Sequence, residues 1–334
     1  MKICRYQLAN SPQTQPRLGI LDEESHEIID PNYSLSIEYE RMGYPNPFER
    51  AEHHLPSRLS TILSLINDPM DRLTEGLGMD EFLRILGVNK SKSGIRYRYK
   101  LEEVKLLSPI DQIPVYRDFY VHEKHVKKGF EKRQEAVPAE WYDIPVYYKG
   151  NPASFIGPEE EIMWPIYTEK LDYELELAAI ISKPGKNIHR AQALEHIFGF
   201  TILNDVSARD IQKKEMKVRL GPSKGKDFCG VIGPFIVTMD EFEGVEPNLL
   251  MQAFVNGKKW SEGKSGDGHF TFAQMIEFAS QEELIQAGDL IGSGTVGTGC
   301  GLELDKWIKP GDEIELVVES IGSLKNTVGT KRKH

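Results

Sequence analysis

Cysteine is scarce in this 334-residue chain, and Cys4, Cys229 and Cys300 stand far apart with no C-x-x-C pair among them. An odd, scattered set of thiols argues against a disulfide framework or a thiolate zinc site, and sets the expectation of a reducing, cytoplasmic protein. Long apolar runs are also missing: none approaches the roughly 20 residues that a bilayer span requires. The opening "MKICRYQLANSPQTQPRLG" lacks the apolar core of a secretion signal. Positive charge is in deficit, with a net −10, so a nucleic-acid backbone is a poor general partner. The one basic cluster, the terminal "KRKH", is expected to be a solvated tail. Repeats and low-complexity tracts are absent.

What is present is an ordinary soluble composition, 40% hydrophobic and 28% charged, in a chain long enough for two domains. "RLGILDEESHEIID" has two apolar runs around a polar turn, a hairpin signature. Helical stretches come next in "SRLSTILSLIND", opened by Ser57, and "GMDEFLRILGV", closed by Gly87. The segment "NKSKSGIRYRYKLEEVKLLSPID" turns from charged to apolar, which places a boundary near residue 100. Residues 1–100 then form a small N-terminal α+β domain and residues 101–334 a second domain. In the second, short strand-like runs dominate: "LELAAIIS", "GVIGPFIVT", "LMQAFVNGKKW", "DLIGSGTV" and "DEIELVVESIG". Asn256-Gly257 is a two-residue hairpin signal. Helices are expected in "DFYVHEKHVKKGFEKR", "RAQALEHIFGF", "SARDIQKKEMKV" and "TFAQMIEFASQ". Strands and helices do not alternate, so the expectation is an α+β, mainly β fold with peripheral helices, not a doubly wound sheet.

Four segments could carry chemistry. In "LDYELELAAIISKP", Glu174 and Glu176 share one strand face with Asp172, either as a wet acidic face or as a wall of a cation site. In "FGFTILNDVSARDIQ", Asp205 falls at a strand-to-helix corner and Ser207-x-x-Asp210 reads as an N-cap signal. Arg209 and Gln212 share a face of the new helix, where they could hold a substrate carboxylate or simply meet solvent. In "YRDFYVHEKHVKKG", Asp118 precedes a helix with His122 and His125 one turn apart: a surface pair, two zinc ligands, or one general base. Finally, "GSGTVGTGCG" matches G-x-G-x-x-G after the strand "DLI", but the adjoining "LELDKWIKPGDEIELVVE" reads as strand and turn. A dinucleotide fingerprint needs a helix there, so that reading fails; a glycine backbone closely approaching a substrate stays open.

Taken in order, "DFYVHEKHV", "YELELAAIISKPGKNI", "ILNDVSARDIQ", "KGKDFCGVIGPFIVT", "FVNG", "GDLIGSGTVGTGCGLEL" and "KPGDEIEL" resemble the fumarylacetoacetate hydrolase family from about Leu106 to Val328. The resemblance implies a mixed β-sandwich or roll of that family's C-terminal type. It implies one divalent cation per subunit, Mg2+, Mn2+ or Ca2+, held by Asp118, Glu174, Glu176 and Asp205. Asp172 is no ligand in that pattern and is read as an ordinary acidic residue. The resemblance further implies His125 as a base paired with Glu303, Lys226 near the cation, and Arg209, Gln212, Tyr120, Tyr148 and Thr295 on the substrate. His122 departs from the aromatic or apolar residue usual at its position. The implied activity is hydrolysis of a carbon–carbon bond in an acylpyruvate- or fumarylacetoacetate-like 1,3-diketo acid, by a homodimer. The alternative on the same scaffold is an oxaloacetate decarboxylase or tautomerase, or another 2-oxo acid lyase or hydratase; a cation-stabilised binding protein is the non-enzymatic alternative.

Overall fold

A computed structural model describes residues 1–331; the rest of the basic tail, on which the solvated-tail expectation fell, lies outside the described residues. The chain divides into two compact units, Met1–Gln112 and Ile113–His334. The first unit runs past the charged-to-apolar change near residue 100 because the strand Val104–Leu107 pairs antiparallel with Lys2–Leu8. Its sheet continues antiparallel through Arg17–Asp22, Glu27–Ile29 and Arg98–Lys100. Four helices accompany it: Pro31–Arg41, Pro47–His54, Leu59–Leu65 and Pro69–Ile85. The last starts well before "GMDEFLRILGV", because Asp68 caps it by accepting from the Asp71 N–H and Pro69 is preset for a first helical turn.

In the second unit, one sheet runs in the order Gly230–Thr238, Ile197–Asn204, Leu175–Ile181, Leu290–Gly292, Tyr116–Phe119 and Tyr147–Gly150. Its neighbours are antiparallel except Leu290–Gly292 with Tyr116–Phe119, which are parallel. A second sheet carries Lys258–Lys264, Leu250–Val255, Glu313–Val318, Gly322–Val328 and Glu161–Ile162. Leu175, Leu177 and Ile202 of the first sheet share one apolar core with Met251, Leu316 and Leu324 of the second. This is the expected α+β fold with helices at the periphery. Asn256 and Gly257 turn the Leu250–Val255 hairpin, both at positive φ (50° and 70°), as a two-residue turn of this kind demands.

One expected helix is absent. "RAQALEHIFGF" forms a 3-10 turn, Arg190–His196, then the strand Ile197–Asn204, whose eight residues are all buried. A run apolar on every side fits a central strand covered on both faces better than a surface helix. Among the described residues, no helix is long and apolar enough to cross a membrane.

Candidate active site

Four adjacent strands bring the carboxylates together. Asp118 lies on Tyr116–Phe119 in register with Gly292, Glu176 is the second residue of Leu175–Ile181, and Asp205 follows the end of Ile197–Asn204. Asp118, Glu176 and Asp205 each present an oxygen within 4.8 Å of the others, and all three are buried. Asp118 Oδ1 and Glu176 Oε2 are buried without any hydrogen-bond partner. Burial, reinforced by the neighbouring carboxylates, pushes the Asp118 and Glu176 carboxyls well above their usual range. A side chain at Gly292 would press into Asp118 Oδ1 and reach 3.2 Å from Glu176 Oε2, so glycine leaves this space open. Orphaned oxygens, a cradle without a Cβ and an all-oxygen donor set fit a hard divalent cation.

Glu174 is placed differently from its strand neighbour. Oε1 accepts from Arg209 Nη2 at 2.7 Å, and Oε2 is paired with the Lys226 ammonium. Burial alone would raise this carboxyl, but the Arg209 and Lys226 charges hold it well below the usual range. Of the four carboxylates that the resemblance names as ligands, three thus converge, while Glu174 sits beside them with both oxygens engaged by cations. Lys226 also pairs with Asp205 Oδ2, which accepts from Tyr148 Oη at 2.8 Å. Burial opposes the Lys226 charge, yet the two carboxylates hold its pKa well above the ordinary lysine value.

His125 rides on the helix Glu123–Arg133, and its Nδ1 lies 2.6 Å from Glu303 Oε1. Glu303 Oε2 accepts from the Thr298 N–H at 2.9 Å. The other ring nitrogen, Nε2, faces Glu174 Oε1 at 3.9 Å. The Tyr120 ring meets the imidazole edge-on at 5.4 Å between centroids. Thr295 Oγ1 donates to Glu176 Oε1 at 3.2 Å, and Arg209 Nη1 donates to Gln212 Oε1 at 3.1 Å. Each base, cation and substrate position named from the sequence therefore lies in one neighbourhood built by the second unit.

Four local readings need correction. Asp172 is not an exposed acidic residue: it is fully buried. It accepts from Arg209 Nε at 2.8 Å and from the N–H groups of Gly301 and Leu302 at 2.7 and 2.9 Å. The parity argument fails because Leu171–Asp172 is a separate two-residue strand paired with Ser207–Ala208, not the start of Leu175–Ile181. Second, the glycine-rich loop leads into a helical turn, Gly301–Leu304, where strand was expected. Asp172 already occupies its leading N–H groups, so no dinucleotide phosphate is served. Third, Ser207 is no cap: the helix Arg209–Lys217 has no side-chain cap, Ser207 Oγ donates to Asp205 O, and Asp210 accepts from Thr168 and Glu169. Fourth, His122 is not half of a surface pair. It precedes the helix, is 2% exposed, and neither ring nitrogen has a partner. Burial, then the His125 charge, lowers its pKa to about 4.

Two neighbours had no sequence signal. Tyr116 buries an unpartnered hydroxyl by Asp118 and Asp205, and the Cys300 thiol lies 3.6 Å from Glu303 Oε1.

The family profile described as fumarylacetoacetate (FAA) hydrolase C-terminal matches residues 114–329. The oxaloacetate tautomerase YisK of Bacillus subtilis is 33% identical over 239 residues, covering 70% of this chain and 76% of that protein. An uncharacterised protein of Pyrococcus abyssi is 33% identical over 220 residues, covering 64% of this chain and 94% of that one. Among solved structures, the fumarylacetoacetate hydrolase of Exiguobacterium antarcticum covers 99% of both chains with a TM-score of 0.69 at 23% identity. Maleylpyruvate hydrolase from Sphingobium sp. SYK-6 covers 98% of this chain and 99% of its own, with a TM-score of 0.66 at 21% identity. At such identities the two structures speak for the fold alone.

Proposed function

The chain belongs to the fumarylacetoacetate hydrolase family, and from that footing we propose that it hydrolyses a carbon–carbon bond in a 1,3-diketo acid of the acylpyruvate or fumarylacetoacetate type. The observation that carries this reading is the His125–Glu303 pair, 2.6 Å apart, beside the carboxylate cluster. A decarboxylase needs no base, and a tautomerase uses one to move a proton between carbon and oxygen, whereas hydrolysis needs a base oriented, as His125 is by Glu303, toward an attacking water. Asp118, Glu176 and Asp205, with Glu174 alongside, are the groups to hold Mg2+ or Mn2+, with Ca2+ a further candidate. Such a cation would supply positive charge that draws electron density from substrate oxygens.

The remaining steps belong to the side chains. With Glu303 as acceptor on Nδ1, the neutral His125 ring carries its proton there and leaves Nε2 as the base. Nε2 takes a proton from water as the water oxygen bonds to the substrate carbonyl carbon, and Glu303 steadies the imidazolium that results. The carbon–carbon bond then breaks, its electron pair passing to the departing enolate, which is finally protonated at carbon. Lys226, fixed by Glu174 and Asp205, offers its ammonium to the enolate oxygen. Arg209 with Gln212 receives the substrate carboxylate, and Asp172 holds the guanidinium in place.

The test is His125→Ala assayed on acylpyruvates with Mg2+ and Mn2+. Hydrolysis should fall by roughly 10²–10⁴, the usual worth of a general base, while cation affinity is unchanged. Hydrolysis that survives removes His125 as the base. Oxaloacetate tautomerisation or decarboxylation is the second reading, favoured by the name of the Bacillus subtilis relative. Conversion of oxaloacetate with no turnover of acylpyruvates would establish it instead. The assembly proposed with either reading is a homodimer, checked by light scattering on the purified protein.

A further inference from the structure

The thiol of Cys300 lies 3.9 Å from His125 Nδ1 and 3.6 Å from Glu303 Oε1, while the last two atoms are 2.6 Å apart. The three ligand atoms fall within 4.8 Å of one another, in a group separate from the oxygen cluster of Asp118, Glu176 and Asp205. The thiol has little freedom to leave. Cys300 is fully buried and its backbone bridges to Glu174, next to the bond from Leu175 N–H to Gly299 O at 3.0 Å. Zinc bonds of about 2.3 Å to sulfur and 2.0–2.2 Å to nitrogen and oxygen place tetrahedral ligands roughly 3.3–3.6 Å apart. The two sulfur distances are already near that spacing. Only the Nδ1–Oε1 separation must open, by under about 1 Å, once a cation replaces the proton between them.

We propose that Cys300, His125 and Glu303 form a second cation site, for zinc, whose occupation switches off the His125–Glu303 pair. Ligand softness sets the selectivity. A thiolate and an imidazole suit zinc, whereas Mg2+ prefers oxygen and belongs at the carboxylates. Three protein ligands leave a fourth position for water. The thiol is inert without zinc, because burial holds it in the protonated form; a coordinating thiol loses that proton outright. Zinc takes the Nδ1 lone pair, so the single proton of the neutral ring moves to Nε2, which then has no lone pair with which to accept a proton from water. The inhibitory half rests on the reading of His125–Glu303 as the catalytic pair; the binding half does not.

Two readouts separate these halves. For binding, Co2+ is added to protein already saturated with Mg2+. A thiolate-to-cobalt absorption band in the near ultraviolet is expected for the native protein and is expected to be missing in Cys300→Ala. For function, equimolar Zn2+ in excess Mg2+ should lower hydrolysis at least tenfold. Cys300→Ala should retain hydrolysis and need at least tenfold more Zn2+ for the same loss. Cys300→Ser serves in its place should the alanine variant fail to fold. Absence of the thiolate band, or equal zinc sensitivity in native and variant proteins, overturns the site. If neither protein hydrolyses any diketo acid, the proposed function fails while the cobalt band still decides the site.

Discussion

At the scale of single residues, Asp172 and His122 show how much burial changes the meaning of a side chain. Asp172 joins Arg209 to the helical turn that carries Glu303, so one carboxylate positions both the guanidinium and that turn. Removing one partner of a buried, hydrogen-bonded ion pair costs about 3–5 kcal/mol, since the other charge is left stranded. Asp172→Ala should lose about that much in urea unfolding, and Asp172→Asn, which is also uncharged and keeps only one of the two oxygens that the Gly301 and Leu302 amides use, should lose nearly as much. Equal stability of all three proteins would remove Asp172 from this role. His122 works through pH. Its folded pKa of about 4 lies below the ordinary value of 6.5, so on acidification the unfolded chain takes up a proton that the folded protein refuses. Stability should therefore fall between pH 6.5 and 4, by at most roughly 3 kcal/mol at 1.36 kcal/mol per unit. His122→Phe should flatten that part of the stability curve; an unchanged acid loss would show that other groups cause it.

At the scale of elements, the site depends on short neighbouring strands and on a glycine at the end of one of them. Leu290–Gly292 stands between Asp118 and Glu176 in the sheet, and only the absence of a Cβ keeps the space between their oxygens clear. Gly292→Ala adds one carbon against Asp118 Oδ1 and against Leu203 Cδ2 at 2.8 Å. Affinity for Mn2+ in calorimetry should drop at least tenfold while the far-ultraviolet spectrum stays native. Unaltered affinity would place the cation elsewhere. Alternation and turn chemistry made most strands readable, as in Leu250–Val255 and its Asn256-Gly257 turn. The same alternation misled at Asp172, because periodicity cannot see that a strand stops and restarts after a two-residue break.

At the scale of the whole molecule, a cation held by the carboxylate cluster would link its binding to stability. Asp118 and Glu176 are pushed above their ordinary range, so folding retains protons that the unfolded chain gives up. Their contribution is complete at low pH and is lost as pH rises beyond the ordinary carboxylate range toward their folded values. Glu174, depressed instead, loses its contribution only below its ordinary range and so leaves the neutral window alone. Without a cation, the melting temperature should therefore fall as pH climbs from 5 to 8. A fixed Mg2+ concentration, set at about 100 times its dissociation constant at pH 8, should restore about 2.7 kcal/mol there, with the gap between Mg2+ and chelator narrowing toward pH 5 as protons compete for the carboxylates. A gap that does not change with pH, or no gap at all, would contradict a cation held by these groups.

Read alone, the sequence determined the family, the α+β class and most strand runs, and it named the carboxylates, histidine and lysine as candidates for the site. The strands and turns are written in local patterns, a two-residue period or a turn dipeptide, while the family and the candidate site residues come from resemblance to its motifs. Only the tertiary structure decided that Glu174 and Glu176, two residues apart, have different partners. It also made Asp172 a buried anchor and set the Cys300 thiol against the His125–Glu303 pair. Those outcomes depend on which strands become neighbours and on what each burial leaves charged or unpaired. Such facts arise between segments far apart in the chain, where no local pattern records them.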